Sequence, residues 1–368
     1  MHRDILPQVI FSPGQLALQL ADGLVRNNIE VTLYTPGPVD TSAISITADM
    51  SYFEQELAGR GDTYMDLLKK HPFTFITLAR QVQSEIISRA YADGNNGKLD
   101  IIHVYTNEED TALPFAKLSK APVIFTHHDP FNFLVKYKNV FPKYTDLNWL
   151  SLSLAQRKSM PENTNWVGNI YHGLDPHVFQ PLPRSESNYV AYFGRIIEPK
   201  GVHLAIAAVR EYNKHTNHPI KLKIAGKHYS GNKDTYWQTQ IEPELDDIIE
   251  YVGFIKDDKD KNVFLGNAKA LIIPSIFDEP FGMVMIEALA CSTPLIGIDS
   301  GSIAEIITSE TGILIPKTNN DTMTTAIARA IGDVSTIDRT NCRADFEKRF
   351  TNEHMCQKHI SAYKQLLR

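Results

Sequence analysis

Two glutamates, Glu279 and Glu287, stand with seven residues between them in the segment EPFGMVMIE, residues 279–287. The apolar run KALIIPSI (269–276) just before them reads as a strand. Glu279 therefore falls in a strand-to-helix loop, and Glu287 a turn or more inside the helix that Phe281, Gly282 and Met283 open. A helix N-terminus offers unpaired N–H groups and the positive end of a dipole, which suits a diphosphate. Gly282 removes the side chain that would obstruct a close approach. Carboxylates aimed at phosphates would repel them. Aimed at hydroxyls they make sense, one on a sugar and one on a ribose.

A second segment, FGRIIEPKG (193–201), ends another apolar run. Gly194 permits a tight strand exit, and Arg195 and Lys200 put two cations at the same carboxyl edge. Such cations stabilise the negative charge that develops on a diphosphate leaving group. No acidic cluster with metal-ligand spacing accompanies them, so a metal-independent reaction is expected. A third segment is FTHHDPF (125–131), where adjacent strand residues point to opposite faces, so at most one of His127 and His128 faces a site. A His-His-Asp metal site is disfavoured because no third segment supplies ligands.

Each residue alone has a plainer reading. A single helix glutamate is usually solvated, an Arg and a Lys are usually surface cations, and a strand-end histidine usually caps its strand. Gly14 in SPGQ (12–15) reads as a helix-start glycine. Only the combination at fixed spacing points to chemistry.

Behind these segments lies a pattern of short apolar runs alternating with amphipathic stretches, the signature of parallel βαβ units. The first series is EVTLYTP (30–36), DIIHVYT (100–106) and PVIFTHH (122–128), with helical periodicity over 16–25 and 75–91. The second is YVAYFGRI (189–196), IKLKIAG (220–226), EYVGFI (250–255), KALIIPSI, PLIGID (294–299) and GILIPK (312–317). Between them, residues 171–188 are rich in Pro, Ser and Gly and read as a linker. The expected fold class is α/β, two Rossmann-like doubly wound domains joined near residue 180, with ligands in the cleft between them.

The 368 residues suit two domains, and 43% hydrophobic with 22% charged residues is an ordinary globular balance. A net charge of −6 argues against nucleic acid as a partner. No apolar run reaches the roughly 18 residues of a membrane span, and the N-terminus lacks a signal-peptide pattern. Cys291, Cys342 and Cys356 form no paired spacing, so a reducing cytoplasm fits. The stretch FLVKYKNVFPKY (133–144) interleaves lysines with aromatics, yet residues 1–180 hold 19 acidic against 15 basic side chains. An exposed loop and helix is the expectation there, with membrane contact no more than peripheral.

Together, the 279–287 and 193–201 segments resemble the family-4 glycosyltransferases, which are retaining and of the two-domain GT-B architecture. The resemblance spans nearly the whole chain and includes YHGLD (171–175), GSIAE (301–305) and the final stretch 350–368. It implies an acceptor-side domain over 1–180, a donor domain over 181–349, and a C-terminal helix, 350–368, crossing back to the first domain. It implies that Glu279 contacts the donor sugar and Glu287 the ribose. Arg195, Lys200 and the backbone of Phe281, Gly282 and Met283 would hold the diphosphate, with the base near Val252 and Phe254. His128, in Thr126-x-His128, would hydrogen-bond the transferred sugar, and Gly14 would belong to a glycine loop facing the donor. That loop usually has two adjacent glycines, and here only Pro13-Gly14 stands.

The implied reaction is retaining transfer from a nucleotide-diphosphate sugar to a small-molecule, glycan or lipid-linked acceptor, with no cofactor and no assigned general base. A nucleotide-sugar epimerase and an inactive donor-binding homologue are the alternatives. One departure concerns the N-terminus. A first central strand should feed the glycine loop, but MHRDILPQVIF carries Pro7 and no β-branched run. The natural product is therefore expected to have about 10–20 more residues upstream.

Overall fold

The computed structural model describes residues 12–105, 109–183, 188–228 and 234–368. The chain divides into two compact units. The first takes residues up to Leu152, Lys158–Ile170 and Met355–Arg368; the second takes Ser153–Arg157 and Tyr171–His354.

In the first unit, β1 (Thr32–Thr35) and β2 (Ile44–Thr47) pair in parallel. A parallel four-stranded sheet follows, in the order β3 (Ile102–Val104), β4 (Val123–Thr126), β5 (Asn148–Ser151), β6 (Trp166–Asn169). Every residue of β4 is buried, as its unbroken apolar run predicts. Helix Ser12–Arg26 buries Leu16, Leu20, Ala21 and Leu24, a stripe of helical period. Pro72 starts the 24-residue helix Pro72–Asn95 at a position where its missing N–H costs nothing. Both helices run longer than their periodic cores suggest. The strands β2, β5 and β6 carry no sustained apolar run and were not anticipated. The reading of residues 1–11 as lacking a strand falls outside the described residues.

The end of helix Asn352–Leu366 belongs to the first unit, in line with the expected crossing. Its Cys356 lies against Gly23, where a Cβ would come within 2.2 Å of Sγ, so only glycine permits the contact.

The second unit holds a six-stranded parallel sheet built from β7 (Tyr189–Phe193), β8 (Lys221–Ala225), β9 (Ile249–Gly253), β10 (Leu271–Ile273), β11 (Leu295–Ile298) and β12 (Gly312–Ile315). The spatial order is β12-β11-β10-β7-β8-β9, the doubly wound order whose direction reverses between β7 and β10. Val190, Tyr192, Leu222, Ile224, Ile272 and Ile296 pack under helices Val202–Lys214 and Asn320–Asp333. Asn319 caps the latter, accepting from Thr322 N–H at 3.0 Å.

The join expected near residue 180 lies inside the second unit. Leu174 bridges Thr351, and the Arg343 guanidinium donates to the carbonyls of Phe179 and Pro176 at 2.7 and 3.0 Å. These bonds tie the Pro-rich stretch to the second unit.

Candidate functional site

The reversal between β7 and β10 brings the two most suggestive segments together at the carboxyl edge of one sheet. The loop after β7 and the loop after β10 are joined by backbone bonds. Ile276 and Phe277 N–H donate to Pro199 O at 3.0 and 3.1 Å. Gly201, at φ +69°, sits where a Cβ would meet Pro274 O at 2.0 Å. A side chain there would be strained in backbone and would drive the loops apart.

Across this junction the Lys200 ammonium pairs with Glu279 Oε1, which also accepts from Ser275 Oγ at 2.9 Å. The side chains are 17% and 9% exposed, so the pair is largely withdrawn from water. Lys200 Nζ also lies 5.3 Å from the centre of the Phe277 ring. The resemblance assigned Lys200 to the diphosphate and Glu279 to the sugar, and the fold makes them partners of each other. Ser275 and Phe277 were missed; only their place in the PSIF turn before Glu279 could have flagged them.

Arg195 is exposed, and among the described residues its guanidinium has no acidic partner. Gly194 lies under the neighbouring loop, because Gly226 approaches so closely that a Cβ on it would meet Gly194 O at 1.8 Å.

Helix Met283–Ala290 begins two residues later than expected, with Gly282 as its N-cap at φ +87°. Phe281 is not part of the helix. Its ring is buried, 5.0 Å from His172 and 5.8 Å from Tyr171, so only its backbone is available. Ser302 Oγ donates to Phe281 O at 2.7 Å and Ser302 N–H to Glu279 O at 2.8 Å, which fixes the loop from the GSIAE side. Glu305 of the same segment accepts from the Leu154 and Ala155 amides at 2.9 and 2.6 Å and from Tyr171 OH at 3.0 Å. The YHGLD and GSIAE motifs are thereby bonded to each other.

Glu287 is half-buried in the helix, and its carboxyl accepts no hydrogen bond from a described residue. Burial pushes its pKa up to about 7; Lys261 opposes the shift and Asp258 adds to it. A carboxyl group so placed is suited to receive hydroxyl donors. Val252 and Phe254 are exposed and line a cavity of about 740 Å³ with Tyr189, Lys223 and Asn267.

In the first unit, β4 ends at Thr126, so His127 and His128 follow the strand rather than alternate along it, and their surroundings differ. His127 is fully buried, with Nδ1 3.1 Å from Glu109 Oε2 and rings of Phe131, Tyr137 and Phe141 around it. Burial raises the Glu109 pKa, while His127 works against the shift. His128 is 8% exposed and meets Tyr105 edge-on at 4.6 Å. His103, missed by the sequence reading, joins Thr126 Oγ1 at 2.8 Å to Tyr363 OH at 2.7 Å. Burial, with His359 nearby, holds His103 well below the usual histidine range. Gly14 lies in the first turn of helix Ser12–Arg26 rather than in a loop.

Among the described residues, no group of three or more His, Cys, Asp or Glu side chains is arranged to hold a metal ion. The three cysteines are buried and form no disulfide.

Residues 175–349 match the family described as glycosyl transferases group 1. Over this stretch the chain is similar to the group 1 glycosyltransferases. The chain is 25% identical over 299 residues to a putative glycosyltransferase, YtcC, of Bacillus subtilis, with 73% of each chain covered. It is 26% identical to an uncharacterized glycosyltransferase, MJ1607, of Methanocaldococcus jannaschii, covering 95% and 94%. Among solved structures, sucrose-phosphate synthase from Thermosynechococcus elongatus superimposes with a TM-score of 0.70 at 20% identity, covering 95% and 92%. HepE from Anabaena, in complex with UDP, gives 0.68 at 16% identity, with 96% of each chain covered. The glycosyltransferase fold is therefore GT-B, and the site described above lies in the matched domain.

Proposed function

We propose that this glycosyltransferase moves a sugar from a nucleoside diphosphate sugar to an acceptor, with retention at the anomeric carbon and without a metal ion. The observation that carries the reading is the convergence at the β7–β10 reversal. Arg195 has no acidic partner among the described residues, Lys200 and Glu279 are paired with each other, and the N-terminus of helix Met283–Ala290 opens from the loop that carries Glu279. A diphosphate placed there would draw on the Arg195 and Lys200 charges and the helix amides. Glu279, relieved of part of its pairing, would accept from sugar hydroxyls.

Glu287 would hold the ribose, and the exposed Val252 and Phe254 would border the base. His128 is assigned contact with the transferred sugar. HepE, of the same fold, was solved with UDP and with UDP-glucose, so uridine donors are the first to try.

The test is a titration with UDP, GDP and ADP and their sugars, followed by transfer assays read by NMR at the anomeric carbon. Binding of one nucleotide series, with axial donor stereochemistry kept in the product, is expected. Release of an altered free sugar without transfer would instead favour epimerisation. Nucleotide binding with no turnover on any acceptor would favour an inactive homologue.

A further inference from the structure

We infer that one face of the first unit, made by Leu113–Leu118 and by residues 133–144, rests on an anionic lipid bilayer. The inference goes beyond the transfer reaction and does not depend on it.

Two stretches lie side by side on this face, the short helix Leu113–Leu118 and residues 133–144, which are helical from Val135 on. Lys136 Nζ reaches Asp110 Oδ1 at 3.1 Å at one end, and Lys117 Nζ reaches Asp146 Oδ2 at 2.5 Å at the other. Inward, Leu113 and Ala116 of one stretch and Tyr137 and Phe141 of the other share a core cluster. That packing decides which side chains turn out. Phe115 is 50% exposed, Leu118 70%, Phe133 49%, Leu134 40% and Val135 79%. Five large apolar side chains on two adjoining stretches exceed the scattered exposure ordinary for a soluble surface.

Charge selects the occupant. Lys120, Lys138 and Lys143 are exposed on these stretches or next to them, and none has an acidic partner among the described residues. The acidic excess of residues 1–180 had argued against a lipid surface, but the fold gathers basic side chains locally. Apolar tips ringed by lysines match the interface of an anionic leaflet. There the rings and branched chains enter the acyl boundary while the ammonium groups stay at the phosphates.

The full chain is tested by flotation with vesicles of phosphatidylcholine alone and with about one-third phosphatidylglycerol, at low and high salt. The chain is expected to float with the anionic vesicles at low salt and to be released by salt. Lys138→Ala and Lys143→Ala should each weaken vesicle affinity about fivefold. Leu118→Glu with Val135→Glu should abolish flotation while the circular dichroism, the melting temperature and nucleotide-induced stabilisation stay unchanged. Absence of flotation, equal flotation on both lipid mixtures, or undiminished flotation of the double variant would overturn the proposal. So would light scattering that shows a dimer which the same variant makes monomeric, because the face would then join two copies.

Discussion

Lys200 and Glu279, 79 positions apart in sequence, form an ion pair that joins the loops after β7 and β10, the two strands flanking the reversal of the sheet. Both side chains are mostly buried, so neither charge is readily compensated by water if the other is removed. Lys200→Met should destabilise the chain by about 3 kcal/mol, as expected when one partner of a buried pair is lost. Adding Glu279→Gln should restore a large part of that, because the stranded charge goes with it. Urea unfolding of both single variants and the double variant measures the coupling; additive effects would mean the pair contributes nothing.

Glu279→Ala should leave nucleoside diphosphate affinity close to that of the parent while sugar discrimination is lost. Calorimetry with the diphosphate alone and with its sugar separates the two. Unchanged turnover in this variant would remove Glu279 from sugar recognition.

Among the described residues, Arg195 has no acidic partner to release before it binds a ligand. Arg195→Ala should therefore leave the melting temperature unaltered while weakening diphosphate binding and transfer by about 2–4 kcal/mol. Arg195→Lys should recover only part of this, since the planar fork is lost. Kinetics with saturating acceptor would show the effect in kcat/KM.

Glu287 gives the site a pH signature. Its folded pKa of about 7 lies above the ordinary 4.5, so between these values the folded chain holds a proton that the unfolded chain has lost. Its contribution to stability is therefore greatest below about pH 4.5 and falls as pH rises toward 7. Across pH 5–8 the melting curve of Glu287→Gln should be flatter than that of the parent. The ligand shows the opposite trend, because a ribose prefers the carboxylate, so donor affinity should improve as pH rises through 7. Parallel pH curves for parent and variant would contradict this.

Excess EDTA should leave transfer intact. Activity that disappears with chelator and returns with Mg²⁺ or Mn²⁺ would show that Arg195 and Lys200 do not suffice at the diphosphate.

The second unit was the more legible part of the chain. Its strands β7, β10 and β11 are buried on both faces and therefore read as continuous apolar runs, as LIGI in β11 does. In the first unit ISIT, NWLS and WVGN each span four residues, and ISIT is largely exposed, so nothing in their composition separates them from loops. The spacing of Arg195, Lys200, Glu279 and Glu287 placed the candidate site. That Lys200 and Glu279 touch was hidden, because strand order, unlike strand existence, leaves no short-range mark on the sequence. His103 was hidden for the same reason: its bond to Tyr363 spans 260 positions.

The first unit draws part of its interior from residues 355–368, with Cys356 seated on Gly23 and Tyr363 bonded to His103. During synthesis these residues emerge only after the whole of 171–354 has been made. The second unit needs none of them. The first must wait with Gly23, His103 and Tyr105 uncovered. Translation thus runs from amino to carboxyl end, while completion of the two units runs the other way, against the usual first-made, first-folded order.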